Sequence, residues 1–190
     1  MTAEVTGGVP RLAPLAGRAA DLARLASETA GRVAAVEVAG LAQVAVRVEP
    51  SSAEGLPVRL PLEPNTVAVD GDVETLWLGP DEWLLVGPEA SVATAAAALA
   101  DALAGAHHGL VDVGANRAIV ELTGRGRHRL LSHGCPIDLH PRAWRPGACA
   151  QTLLARAPVL LQEQARATRV FVRPSYGDHL VDRLLDAAGA

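Results

Sequence analysis

Residues 133–144, HGCPIDLHPRAW, place two histidines, a cysteine and an aspartate within eight positions, and Cys149 follows soon after. These are the residue types that ligate zinc, attack as thiolates or move protons. As a metal set, His133, Cys135, His140 and Cys149 are separated by one, four and eight residues. Tight zinc sites bring ligands in close pairs such as C-x2-C or H-x3-H, so this spacing predicts no metal site. As a nucleophile, Cys135 follows the end of a short predicted helix, where the dipole opposes thiolate formation. It is expected to be a small buried apolar residue. Asp138 stands between Ile137 and Leu139. Apolar neighbours would raise its pKa by desolvation; the alternative is a turn aspartate that binds its own backbone.

Arginine is concentrated around the same stretch. Arg125, Arg127, Arg129, Arg142 and Arg145 lie between Thr123 and Gly147, where Asp138 is the only acid. The whole chain has a formal net charge of −4. Such a patch is either a solvated face or the surface that meets an acidic partner or polyanionic tail. Trp144, in the same proline-rich loop, either folds back into the core or projects as a binding anchor. These six residues are the candidate partner interface.

Several chemistries are excluded. The chain contains no lysine, hence no Schiff-base or P-loop lysine. It has no G-x-G-x-x-G dinucleotide turn and no G-x-S-x-G elbow. Aromatics are only 3% of the residues, and no global basic field exists, so nucleic acid is not an expected partner. The N-terminus lacks a basic-then-apolar signal, and the most apolar stretch, around 92–100, is too short to span a bilayer. A cytoplasmic chain with free thiols and no membrane partner is expected.

The elements that must position these residues are legible as patterns. Residues 1–20 carry Gly, Pro and Ala without periodicity and read as an extended arm of the kind that lies on a partner. Residues 21–30 suit a short helix. Alternating Val44, Val46 and Val48 read as a half-buried strand. Pro57, Pro61 and Pro64 exclude a central strand over 56–71. VETLWLGPDEWLLVGP reads as two strands about a Gly79-Pro80-Asp81 turn, followed by an alanine-rich helix with Ser91 as its cap and His107-His108 beyond its end. Strands recur over 109–124, 148–164 and 168–175, with a short helix over 125–134 and a closing helix capped by Asp178. The order predicts one α+β domain over 21–190, built of two similar strand-strand-helix halves, about 33–104 and 110–188.

LGPDEWLLVGP and then VDVGANRAIVELTGRGRHRLLSHGCPIDLHPRAWRPGACAQTLLARAPVLL resemble the gamma subunit of heterotetrameric sarcosine oxidase. That resemblance implies an accessory, non-catalytic subunit, with no catalytic residue and no cofactor of its own. It implies alpha, beta and delta subunits as partners, with FAD, covalent FMN and NAD held by partner chains. The complex so implied oxidises sarcosine to glycine with peroxide and passes a one-carbon unit to tetrahydrofolate. The resemblance also implies a fold like the folate-binding domain of aminomethyltransferases, in which Asp138 takes the place of a folate-binding aspartate. Ile137 stands where that family has Asn, and no aromatic follows the loop glycine in ACAQT. The alternative reading is a standalone folate-binding protein or one-carbon transferase.

Overall fold

The computed structural model describes residues 13–189. In chain order these form α1 (Ala19–Glu28), β1 (Ala34–Glu37), β2 (Leu41–Val48), β3 (Val67–Asp70), β4 (Val73–Gly79), β5 (Glu82–Pro88) and α2 (Glu89–Ala102). The second series is β6 (His108–Asp112), β7 (Ala118–Thr123), α3 (Arg127–Ser132), β8 (Cys149–Leu154), β9 (Ala157–Glu163), β10 (Ala167–Val172) and α4 (Gly177–Ala188). Residues 1–12 of the expected arm lie outside the described residues. From Ala13 onward the arm reading is corrected: a 3-10 turn leads straight into α1, and Leu15 is buried.

The strands make two five-stranded antiparallel sheets, in the orders β1-β7-β10-β9-β8 and β3-β4-β5-β2-β6. Replacing each strand by its counterpart five positions along the chain converts one order into the other. Each series therefore builds four neighbouring strands and lends its first strand to the edge of the other sheet. We propose on this basis that the halves 33–104 and 110–188 arose by duplication within a single domain.

Alternation along the strands produces three apolar layers. Ile119, Leu160 and Phe171 of one sheet face Leu76, Leu84 and Val86 of the other. The outer face of the first sheet, with Val120, Leu122, Leu161 and Val170, is covered by Leu22 and Leu25 of α1 and by Leu180, Val181 and Leu184 of α4. The outer face of the second sheet, with Val46, Trp83 and Leu85, is covered by Val92, Ala95 and Leu99 of α2. These side chains recur at helical spacing, which is why each helix has one buried face. Arg18 ties α1 to α4 by pairing with Asp182 and Asp178 as well as Asp21, and these partners hold its pKa above the ordinary arginine value.

Both predicted helix caps are corrected. α2 starts two residues before Ser91, with Pro88 at the N-cap position, and α4 starts at Gly177, with Tyr176 there. Neither helix has a side-chain cap hydrogen bond. The fixed φ of Pro88 and the 3-10 turn over Pro174–Tyr176 start the helices instead. His108 belongs to strand β6, opposite Val48, rather than to the end of α2.

Candidate functional site

The segment between α3 and β8 carries the suspected chemistry. α3 is one and a half turns long because Leu130 and Leu131 have a core to face and Gly134 follows at its end. The chain then leaves as a series of local turns. Cys135 donates its backbone N–H to Leu131 O at 3.0 Å, and Ala143 and Trp144 both donate theirs to His140 O at 2.8 Å. Cys135 as a residue is 9% exposed and packs against the first sheet's outer core.

Asp138 is exposed, and its Oδ1 accepts the His140 backbone N–H at 2.8 Å. This is an Asx turn, so the desolvated carboxylate weighed from its apolar neighbours is corrected. His133 Nδ1 lies 2.8 Å from Arg129 O, and His140 Nδ1 accepts from Arg142 N at 3.2 Å. Cys149 is fully buried at the junction of the two sheets, its Sγ 3.4 Å from both Thr66 O and Trp77 O. Burial pushes its thiol up to about 12, only partly offset by the hydrogen bond to Trp77. The residues grouped in the sequence therefore face different environments. Among the described residues no three His, Cys, Asp or Glu side chains form a metal-holding group.

The residue that organises this region is Glu163, at the end of β9 and 2% exposed. Its Oε1 accepts from Arg127 Nη2 at 2.6 Å and lies 2.9 Å from His128 Nε2. Its Oε2 accepts from Trp144 Nε1 at 2.9 Å and from the Thr168 hydroxyl. Backbone bonds from Gly147 N to Glu163 O and from Glu163 N to Ala148 O close the arrangement. A buried carboxylate is stable only when paired and hydrogen-bonded, and here α3, the loop and β10 all supply partners. Arg127 and Trp144 are thereby corrected as surface anchors: the indole is 6% exposed and both side chains point inward. Arg125, Arg129, Arg142 and Arg145 remain exposed. The sequence reading missed Glu163 because it ends an apolar strand run, and its partners lie 5 to 36 residues away.

A second polar region opens between the β1–β2 and β6–β7 connections. This cleft of about 510 Å³ is lined by Glu37, Gln43, Asp112, Asn116 and Arg117, among others. Burial, helped by Arg173, lowers the Arg117 pKa, and Gln43 Nε2 donates to Arg117 O at 3.1 Å. Two further grooves lie beside α2, about 500 Å³, and between α3 and α4, about 230 Å³. Asp138 lines none of the three. Its position and its engaged oxygen do not fit a folate-holding carboxylate.

The family is decided by comparison with known proteins. The model of the sarcosine oxidase gamma subunit family matches residues 39–190. The chain belongs to this family. It is 40% identical over 169 residues to sarcosine oxidase subunit gamma of Corynebacterium sp. (strain P-1), covering 84% of this chain and 81% of that one. Identity to the Arthrobacter sp. gamma subunit is 38% over 167 residues, with the same coverage of 84% and 81%. In three dimensions, this gamma-family chain resembles a chain of the heterotetrameric sarcosine oxidase from Corynebacterium sp. U-96 in complex with pyrrole 2-carboxylate. The TM-score is 0.83 at 33% identity, covering 95% of this chain and 97% of that one. The glycine cleavage system aminomethyltransferase T from Bartonella henselae matches with a TM-score of 0.61 at 14% identity, covering 86% of this chain and 48% of that one. That likeness establishes the aminomethyltransferase type of fold alone. Among the described residues no helix is long and apolar enough to cross a membrane.

Proposed function

We propose that this gamma-family chain is the accessory, non-catalytic subunit of a heterotetrameric sarcosine oxidase. Alpha, beta and delta chains are its partners. They hold FAD, FMN and NAD, and they oxidise sarcosine to glycine and peroxide while tetrahydrofolate accepts the one-carbon unit. The observation that carries this reading is the fit, over 95% of this chain and 97% of the other, to a chain of a heterotetrameric sarcosine oxidase. The site geometry supports it. Glu163, Arg127 and Trp144 are committed to holding one another, Cys149 is sealed between sheets, and Asp138 closes its own turn. Such a set holds shape and leaves the bond-breaking to other chains.

The test is purification of the chain from its native cells under mild conditions. The expected result is co-elution with large flavoprotein chains, while the isolated chain has no flavin spectrum. A chain that elutes alone, or that oxidises sarcosine alone, overturns the reading.

A further inference from the structure

The fold collects more arginine at one end of the first sheet than the sequence suggests. Thr123 pairs with Ala34 on one side and Ala167 on the other. Arg32, Arg125 and Arg166 therefore flank the same end, and Gly126 N donates to Arg32 O at 3.0 Å. Arg129 follows on α3, and Arg142 and Arg145 sit in the loop that Trp144 fastens to Glu163. All six guanidinium groups belong to exposed residues. None has an ion-pair partner among the described residues; Arg145 Nε donates to the backbone oxygen of Arg142. Nearby carboxylates are already engaged: Glu163 by Arg127 and His128, Glu121 and Glu74 by Arg169. Elsewhere Arg24 pairs with Glu28, Arg47 with Glu82 and Arg183 with Asp186, while the exposed Arg59, Arg156 and Arg173 stand singly without an ion pair among the described residues.

A cluster of unpaired like charges on an otherwise acidic chain weakens the isolated molecule and favours an anionic surface against it. Nucleic acid is the poorer fit, because Trp144, the aromatic of this region, is buried and offers no stacking platform. We propose that this end of the first sheet docks an acidic, Asp- and Glu-rich surface of a partner subunit, with Arg32, Arg125 and Arg166 at the centre of the contact. The inference rests on the accessory-subunit reading and specifies which face is used.

The absence of lysine gives a direct test. Arg32→Lys, Arg125→Lys and Arg166→Lys, made singly, each introduce one ε-ammonium and keep the charge. Each variant is co-expressed with the partner subunits, and the purified complex is treated with a carbodiimide, which joins an amine to a touching carboxylate without a spacer. Mass spectrometry then reads the linked peptides. Links from these three positions to Asp or Glu of a partner chain are expected, and none from Arg59→Lys in the connection between β2 and β3. An intact complex without links from the three positions, or with links from the Arg59→Lys control alone, overturns the docking face. Failure of the unaltered chain to assemble overturns the accessory reading instead. In a second measurement, Arg125→Glu with Arg166→Glu should weaken assembly at least about tenfold while circular dichroism of the free chain stays unchanged. Assembly at unaltered affinity contradicts the proposal, as does wild-type complex that carries nucleic acid on this face.

Discussion

Trp144 and Glu163, nineteen residues apart, meet through a 2.9 Å hydrogen bond from the indole Nε1 to Oε2. That bond fastens an otherwise turn-by-turn loop to the end of β9. Trp144→Phe keeps most of the packing and removes the donor, so it should cost about 1–2 kcal/mol. Glu163→Ala leaves Arg127 facing a buried gap and should cost about 3–5 kcal/mol. Urea denaturation of the two variants checks both the order and the size of the losses.

The buried thiol of Cys149 makes stability depend on alkaline pH. Its folded pKa of about 12 lies above its ordinary value of 9.0, so the folded chain keeps a proton that the unfolded chain loses. Between about pH 9 and 12 the native state binds more protons, and stability falls by about 1.4 kcal/mol per pH unit from this group. Cys149→Ala should flatten that part of the pH–stability curve. The same burial predicts that iodoacetamide alkylates Cys149 only after denaturant is added, read by mass spectrometry.

Gly124 has φ +91°, and a Cβ there would fall 2.3 Å from Arg32 O. Gly124→Ala therefore meets both left-handed strain and a backbone clash, and should cost more than about 2 kcal/mol. Gly147, at φ +90°, has open space around its Cβ position. Gly147→Ala should cost only the conformational part, about 1 kcal/mol. Comparing the two thermal melts isolates the clash.

Replacing Cys135 and His140 together by Ala should leave sarcosine turnover of the assembled complex within about twofold of the unaltered one, which is roughly 0.4 kcal/mol. The Cys135 side chain fills core space, and His140 holds the loop through its backbone oxygen and one ring nitrogen. A large fall in kcat with an intact complex would assign chemistry to the loop.

Local pattern carried most of the elements. Alternation at Val44, Val46 and Val48 marked β2, and leucine spacing marked the buried faces of α1 and α4. The prolines of residues 57–64 marked a segment that never enters a sheet. Patterns of this kind report burial on one face, which any strand or helix must satisfy within a few residues. The centre of the site was not legible in that way. Glu163 has partners from three separate segments, and Arg32 and Arg166 join the basic end only because Ala34 and Ala167, which follow them in the chain, pair with Thr123 across the sheet. Asp138 was legible in type, since Asp two residues before a free backbone N–H forms an Asx turn. Superposition should lay β2 to β5 and α2 on β7 to β10 and α4 in the same order.

Each series of strands finishes the sheet of the other, so neither portion of the chain is self-sufficient. A polypeptide cut between residues 104 and 107 yields two fragments, each lacking an edge that the other carries. The sheets are thereby interlocked, and the molecule should melt in one cooperative transition instead of shedding a lobe at a time.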